Sequence, residues 1–135
     1  VTDSHLVAVG VLVSSAGQVL LCRRSAAKRW YPNVWDFPGG HVEANETPSC
    51  ALVRELHEEL DIEAVVPADA RWTFSSDVLT AHVYVVERWE GPLRNAAPDE
   101  HEELRWVSAG DAALMDLAHP EWLHLIEVTL KMGQE

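Results

Sequence analysis

The chain has 135 residues, 47% of them hydrophobic and 24% charged, and a formal net charge of −12. That length suits one domain over residues 1–135 with a single buried core, and the acidity counts against nonspecific binding to nucleic acid or to an anionic membrane. No apolar run is long enough to span a bilayer and the N-terminus lacks a basic-then-apolar secretory pattern, so a soluble, cytoplasmic protein is expected.

Leu6 to Val13 is β-rich and almost entirely apolar, which predicts a strand covered on both faces. Ser14 to Gly17 reads as a turn and Gln18 to Arg24 as a second strand, a hairpin that delivers Arg23 and Arg24 at its far end. The loop from Ser25 to Asn33 holds Lys28, Arg29, Trp30 and Tyr31, which could stack on a base or hold phosphates, or could simply close over the core. Cys22 and Cys50 show neither metal spacing nor a disulfide framework.

Trp35 to Phe37 is a short strand that enters Pro38-Gly39-Gly40, where two glycines allow close backbone approach and put a carbonyl within reach of a metal. Thr47-Pro48 then opens a helix to Leu60, because the threonine hydroxyl accepts from an orphan N–H and proline has none to leave unsatisfied. On that helix Glu55, Glu58 and Glu59 stand at i, i+3 and i+4, so their carboxylates share a face, while Leu52, Val53, Leu56 and Leu60 form the apolar one. Like charges at this spacing repel, and a bound cation reverses the sign. Oxygen-only ligands on a helix suit a hard ion such as Mg²⁺. Arg54 is expected to pair with Glu46 or Glu43 and pin the loop to the helix.

Ile62–Val66 and Ala70–Ser75 read as strands broken by Pro67, and Val78–Trp89 as one long strand. Gly91 to Pro98 is a loop, followed by the acidic run Asp99 to Glu103 and a strand from Leu104 to Val107. Ser108 caps a short helix through Met115, and a last helix runs from Glu121 to about Met132. From these elements alone the fold class is α+β, strands leading and a helix between them.

Gly40, five residues, Glu46, seven residues, then Arg54-Glu55-Leu56-His57-Glu58-Glu59-Leu60-Asp61-Ile62 resembles the signature of the Nudix hydrolases, G-x5-E-x7-R-E-U-x-E-E-x-G-U with U bulky and aliphatic. The one departure is Asp61 in place of the second glycine, just past the helix end, where a left-handed backbone is wanted and Asp costs about 1 kcal/mol. Val86 to Gly91 is also similar to the MutT-like members.

The resemblance implies an α/β/α sandwich around a mixed, curved sheet. It implies hydrolysis of a nucleoside diphosphate-linked substrate, foremost a (d)NTP or oxidised dNTP, to a nucleoside monophosphate and pyrophosphate. NDP-sugars and dinucleoside polyphosphates are rival substrates, and a non-catalytic nucleotide-binding module is the alternative of another class. The cofactor implied is Mg²⁺, with Mn²⁺ as a substitute, held by Glu55, Glu58, Glu59, the Gly40 carbonyl and the acidic run, where Glu100 is the best match and Glu102 and Glu103 are rivals. Glu58 or Glu100 is the general base, with Arg54, Glu55 and Glu59 completing the catalytic set. Arg23 would hold phosphate, Gly39 would approach the substrate, and His119 stands about where the MutT-like members carry an asparagine that reads a purine edge. Imidazole cannot offer that amide's paired donor and acceptor, so guanine specificity is not implied. The partner expected is a small nucleotide, not a nucleic acid or membrane, and the protein is a monomer or homodimer.

Overall fold

The first two strands have no polar face, and the computed structural model, which describes residues 5–26 and 33–132, shows why. In chain order the elements are β1 (His5–Leu12), β2 (Val19–Arg24), β3 (Trp35–Asp36), β4 (Gly39–His41), α1 (Pro48–Leu60), β5 (Glu63–Val65), β6 (Trp72–Ser75), β7 (Leu79–Val86), β8 (Arg88–Glu90), β9 (His101–Val107), α2 (Ala109–Ala112) and α3 (Trp122–Met132). They form a four-stranded sheet in the order β4-β1-β7-β6, a three-stranded sheet β3-β2-β9 and a ribbon β5-β8. Parallel β1-β7 pairing among otherwise antiparallel neighbours makes the β-structure mixed.

Along β1, Ala8 and Leu12 pack with Leu52, Leu56 and Leu60 of α1, whereas Val9 and Val11 pack with Trp122, Leu125 and Ile126 of α3. Along β2, Leu20 joins the α1 side and Val19 and Leu21 the α3 side. Alternate residues of each strand therefore feed two apolar layers, the expected α/β/α sandwich. Full burial of such a side chain contributes roughly 1.5–3 kcal/mol, so neither strand could tolerate a polar face.

The expected β1-β2 hairpin is corrected. Val13 and Val19 form an isolated bridge across the turn, beside a hydrogen bond from Ser14 N to Gln18 O at 2.9 Å. Beyond that bridge β1 pairs with β4 and β7 and β2 with β3 and β9, because each strand needs neighbours in a sheet covered on both sides. The long strand expected over Val78–Trp89 breaks at Glu87, where pairing passes from β1 to β5. β6 begins at Trp72, α2 ends at Ala112, α3 begins at Trp122, and β9 starts at His101, so the last three of the five residues in the acidic run are strand. The short β4 went unpredicted because two glycines and a histidine carry no strand signal. Lys28, Arg29, Trp30, Tyr31 and Pro32 lie outside the described residues.

Helix α1 has the predicted limits. Thr47 Oγ1 accepts from Cys50 N at 3.2 Å, and Asp61 takes the left-handed conformation at φ 58° with its N–H on His57 O. Its buried face is Ala51, Leu52, Leu56, Glu59 and Leu60. Val53, expected on that face, is only partly buried.

Candidate active site

Arg54 gathers the loop before α1. Its Nε and Nη2 donate to the two oxygens of Glu46 at 2.8 and 3.0 Å, a planar bidentate pair, and Nη2 also reaches His41 O at 3.0 Å. Glu43 Oε1 lies at 3.8 Å, and the Glu43 amide donates to Glu46 Oε1 at 2.9 Å. The guanidinium hydrogen bonds hold the Glu46 carboxyl down at about 2, and the same bonds raise Arg54 above its ordinary value. The expected pinning role of Arg54 is what its contacts show.

From the same guanidinium, Nη1 donates to Glu55 Oε1 at 2.9 Å and to Glu58 Oε2 at 3.4 Å. The three helix carboxylates are graded in depth: the Glu58 side chain is 56% exposed, Glu55 18% and Glu59 5%. The shared helix face therefore spreads the three carboxylates from solvent to core. Glu58 is turned to Arg54 and solvent, and among the described residues no group of three His, Cys, Asp or Glu side chains has metal-holding geometry.

Gly40 shows what the depth requires. A Cβ there would lie 2.6 Å from Glu55 Cδ, so the missing side chain is the space the Glu55 carboxylate fills. Gly39, at φ 143°, is held as tightly, since a Cβ on it would meet Ala8 O at 2.2 Å. Gly40 lets β4 run close beneath the helix, and Gly39 lets it lie against the backbone of β1.

Glu59 is the buried carboxylate. Burial pushes it well above its ordinary range, the neighbouring Glu55 and Glu100 push it further, and the Gly39 amide draws it back down. Its Oε1 accepts from His101 Nε2, while Oε2 has no hydrogen-bond partner. Such a group costs several kcal/mol without a counter-charge. An orphaned carboxylate oxygen beside a second carboxylate, with hard oxygen donors throughout, fits a divalent cation. His101 is the residue that sequence reasoning missed, because it read as one histidine in a charged loop.

The acidic run divides its tasks. Glu100 is exposed, and it is the member whose charge acts on Glu59. Glu102 accepts from Ala26 N at 2.9 Å and pairs with Arg23 Nη2 at 3.1 Å, and Glu103 pairs with Arg105 at 2.7 Å. Arg23 is half-exposed at its tip, while its buried Nε has no acceptor.

His119 lies on the other face of the sheets, edge-on to Trp122 with ring centroids 4.7 Å apart. Both line a cavity of about 210 Å³ with Phe74, Ser75, Leu79 and Ala81. Beneath it, Asp36 Oδ1 accepts from Trp122 Nε1 at 2.7 Å and Phe37 N at 2.8 Å. Burial raises the Asp36 carboxyl, against the opposing pull of the Trp122 hydrogen bond and of His119. Nothing in the sequence marked Asp36 and Trp122 as a pair, since 86 positions separate them.

Known proteins are similar to this chain over most of its length. The NUDIX domain model matches residues 4–126. A CTP pyrophosphohydrolase of Escherichia coli is 34% identical over 127 residues, 92% of this chain and 90% of that protein. An 8-oxo-dGTP diphosphatase of the same organism is 34% identical over 78% of this chain and 84% of its own length. The solution structure of the E. coli ORF135 protein superposes with a TM-score of 0.77 at 31% identity, covering 98% of this chain and 92% of that one. A MutT structure from work on Aliivibrio salmonicida and Vibrio cholerae gives 0.81 at 25% identity, covering 94% and 99%.

Proposed function

The chain belongs to the NUDIX domain family, and from that premise we propose that it is a divalent-metal-dependent pyrophosphohydrolase that converts a nucleoside triphosphate to the monophosphate and pyrophosphate. The relatives named for CTP and 8-oxo-dGTP support the triphosphate class. The observation that carries the reading is the buried Glu59 carboxylate with one oxygen bonded to His101 and the other open, next to Glu55 in the space left by Gly40.

Glu55, Glu58, Glu59, Glu100 and the Gly40 carbonyl would hold the metal, Mg²⁺ with Mn²⁺ as a substitute. When bound, the ion supplies neutralisation of phosphate charge and acidifies water. Burial and the neighbouring carboxylates push the Glu59 carboxyl upward, and a bound cation would oppose them. Arg54 fixes Glu55 and Glu58 by two hydrogen bonds and the Gly40–Glu46 loop by three more. Glu58 and Glu100, the exposed carboxylates, are the two candidates for the base that takes a proton from the attacking water. Arg23 would exchange Glu102 for a phosphate oxygen.

The cavity at His119 and Trp122 would take the base, and Gly39 would approach the substrate. Residues 1–135 would act as one domain, in the cytoplasm, on small nucleotides and not nucleic acid, as a monomer or homodimer. The test is pyrophosphate release from CTP, 8-oxo-dGTP, the common dNTPs, ADP-ribose and a diadenosine polyphosphate, with and without Mg²⁺. Mg²⁺-dependent pyrophosphate from triphosphates is expected; turnover of ADP-ribose or the dinucleotide alone would overturn the substrate class.

A further inference from the structure

We propose that His101 is a positioning residue that holds Glu59 with one oxygen turned toward the metal. The proposal rests on the metal-site reading above and adds a residue outside the signature.

The first support is the register of β9. Its pairing with β2 runs Arg23 to Glu103 and then Arg24 to His101, so Glu102 is an extra residue without a partner, a β-bulge. In an unbroken strand residues three apart face opposite sides. Here His101 meets Glu59 of α1, and Leu104 packs on the same α1 side of the sheets. The bulge turns His101 back toward the helix, the re-aiming of a side chain for which bulges next to functional sites are known.

The second support is the way the segment before His101 is tied to the end of α1. Arg94 N donates to Leu60 O at 3.1 Å and Ala96 N to Glu59 O at 2.8 Å. Asn95 Nδ2 then reaches His101 O at 2.7 Å, and His101 N reaches Ala97 O at 3.0 Å. The backbone of Glu59 and the backbone of His101 are thus joined through one short loop, independently of the side-chain bond.

The third is the division of labour on the carboxylate. Both side chains are buried, 5% exposed for Glu59 and 8% for His101, and the imidazole takes Oε1 while Oε2 is left without a hydrogen bond. A carboxylate can rotate about its last torsion, and a donor fixed on one oxygen removes that freedom. Hydrogen bonds of this kind to metal ligands typically raise affinity 10–100-fold.

The test is Mn²⁺ binding to the metal-free protein by titration calorimetry, with melting followed in the same samples. His101→Leu should bind Mn²⁺ about 10–100-fold more weakly. His101→Gln, whose amide nitrogen stands near the position of Nε2, should keep the wild-type affinity to within about threefold, and His101→Asn, too short to reach, should resemble His101→Leu. A folded His101→Leu that binds Mn²⁺ as wild type does would overturn the proposal and leave the pair a packing feature. If His101→Leu fails to fold, equal Mn²⁺ affinity in His101→Gln and His101→Asn would overturn it instead. Loss of Mn²⁺ binding by the wild type itself would overturn the metal site, a different failure from an unchanged variant.

Discussion

On the α1 face of the sheets, charged side chains are fixed by individual hydrogen bonds: two from Arg54 to Glu46, one each to Glu55 and Glu58, and one from His101 to Glu59. On the α3 face, the cavity is shaped by ring packing, with Phe37, Phe74 and His119 arranged around Trp122 and a single carboxylate, Asp36, anchoring the indole. A hydrogen-bonded network tolerates almost no substitution, because each lost partner strands a buried polar group. An aromatic pocket can exchange rings of similar volume and change its preference without losing its fold. Under the proposed function, reaction would belong to the first face and choice of base to the second.

Glu59→Gln should be the largest effect. It keeps the volume and can still accept from His101, yet removes the buried charge, so kcat should fall by about a hundredfold or more with the melting temperature unchanged or raised. Steady-state kinetics and calorimetry on one preparation check both halves. Gly40→Ala comes next: its methyl would stand 2.6 Å from Glu55 Cδ, and displacing that carboxylate by about 1 Å should lower kcat about ten- to a hundredfold.

Across the sheets, His119→Ala should reorder the nucleotides by kcat/KM while the best substrate loses less than about tenfold in kcat, in line with the modest discrimination that pocket contacts supply. An unaltered ranking would take His119 out of the base pocket. Such a result would leave the catalytic face untouched and break the comparison at its other half.

Two smaller effects concern the frame of α1. Glu46 has a folded pKa of about 2 against an ordinary 4.5, so its contribution is present in full above about pH 4.5 and is lost as pH falls toward 2. Acid titration of stability should show that loss in wild type, and Glu46→Gln should flatten it. Asp61→Gly removes the left-handed strain but also the exposed pair with Arg94 at 3.0 Å, and the two should nearly cancel, leaving stability within about 0.5 kcal/mol.

The sequence was most readable where local spacing dictates structure. Thr47, Pro48 and the i, i+3, i+4 glutamates are local signals, and α1 has the predicted limits, as does the pairing of Arg54 with Glu46 eight positions away. Pairs made by tertiary packing were not readable: His101 reaches Glu59 across 42 positions through a bulge that no composition marks, and Asp36 meets Trp122 only because α3 folds back over β3. The hairpin expectation failed for the same reason, since the short turn was legible and the partners of two doubly buried strands were not.

The most direct test of the account is the anomalous difference density of crystals grown with Mn²⁺. A peak against the open oxygen of Glu59 and the Glu55 carboxylate, beside the Gly40 carbonyl, is the result expected. Density confined to the exposed carboxylates of Glu58 or Glu100, with the Glu59 side chain untouched, would contradict it.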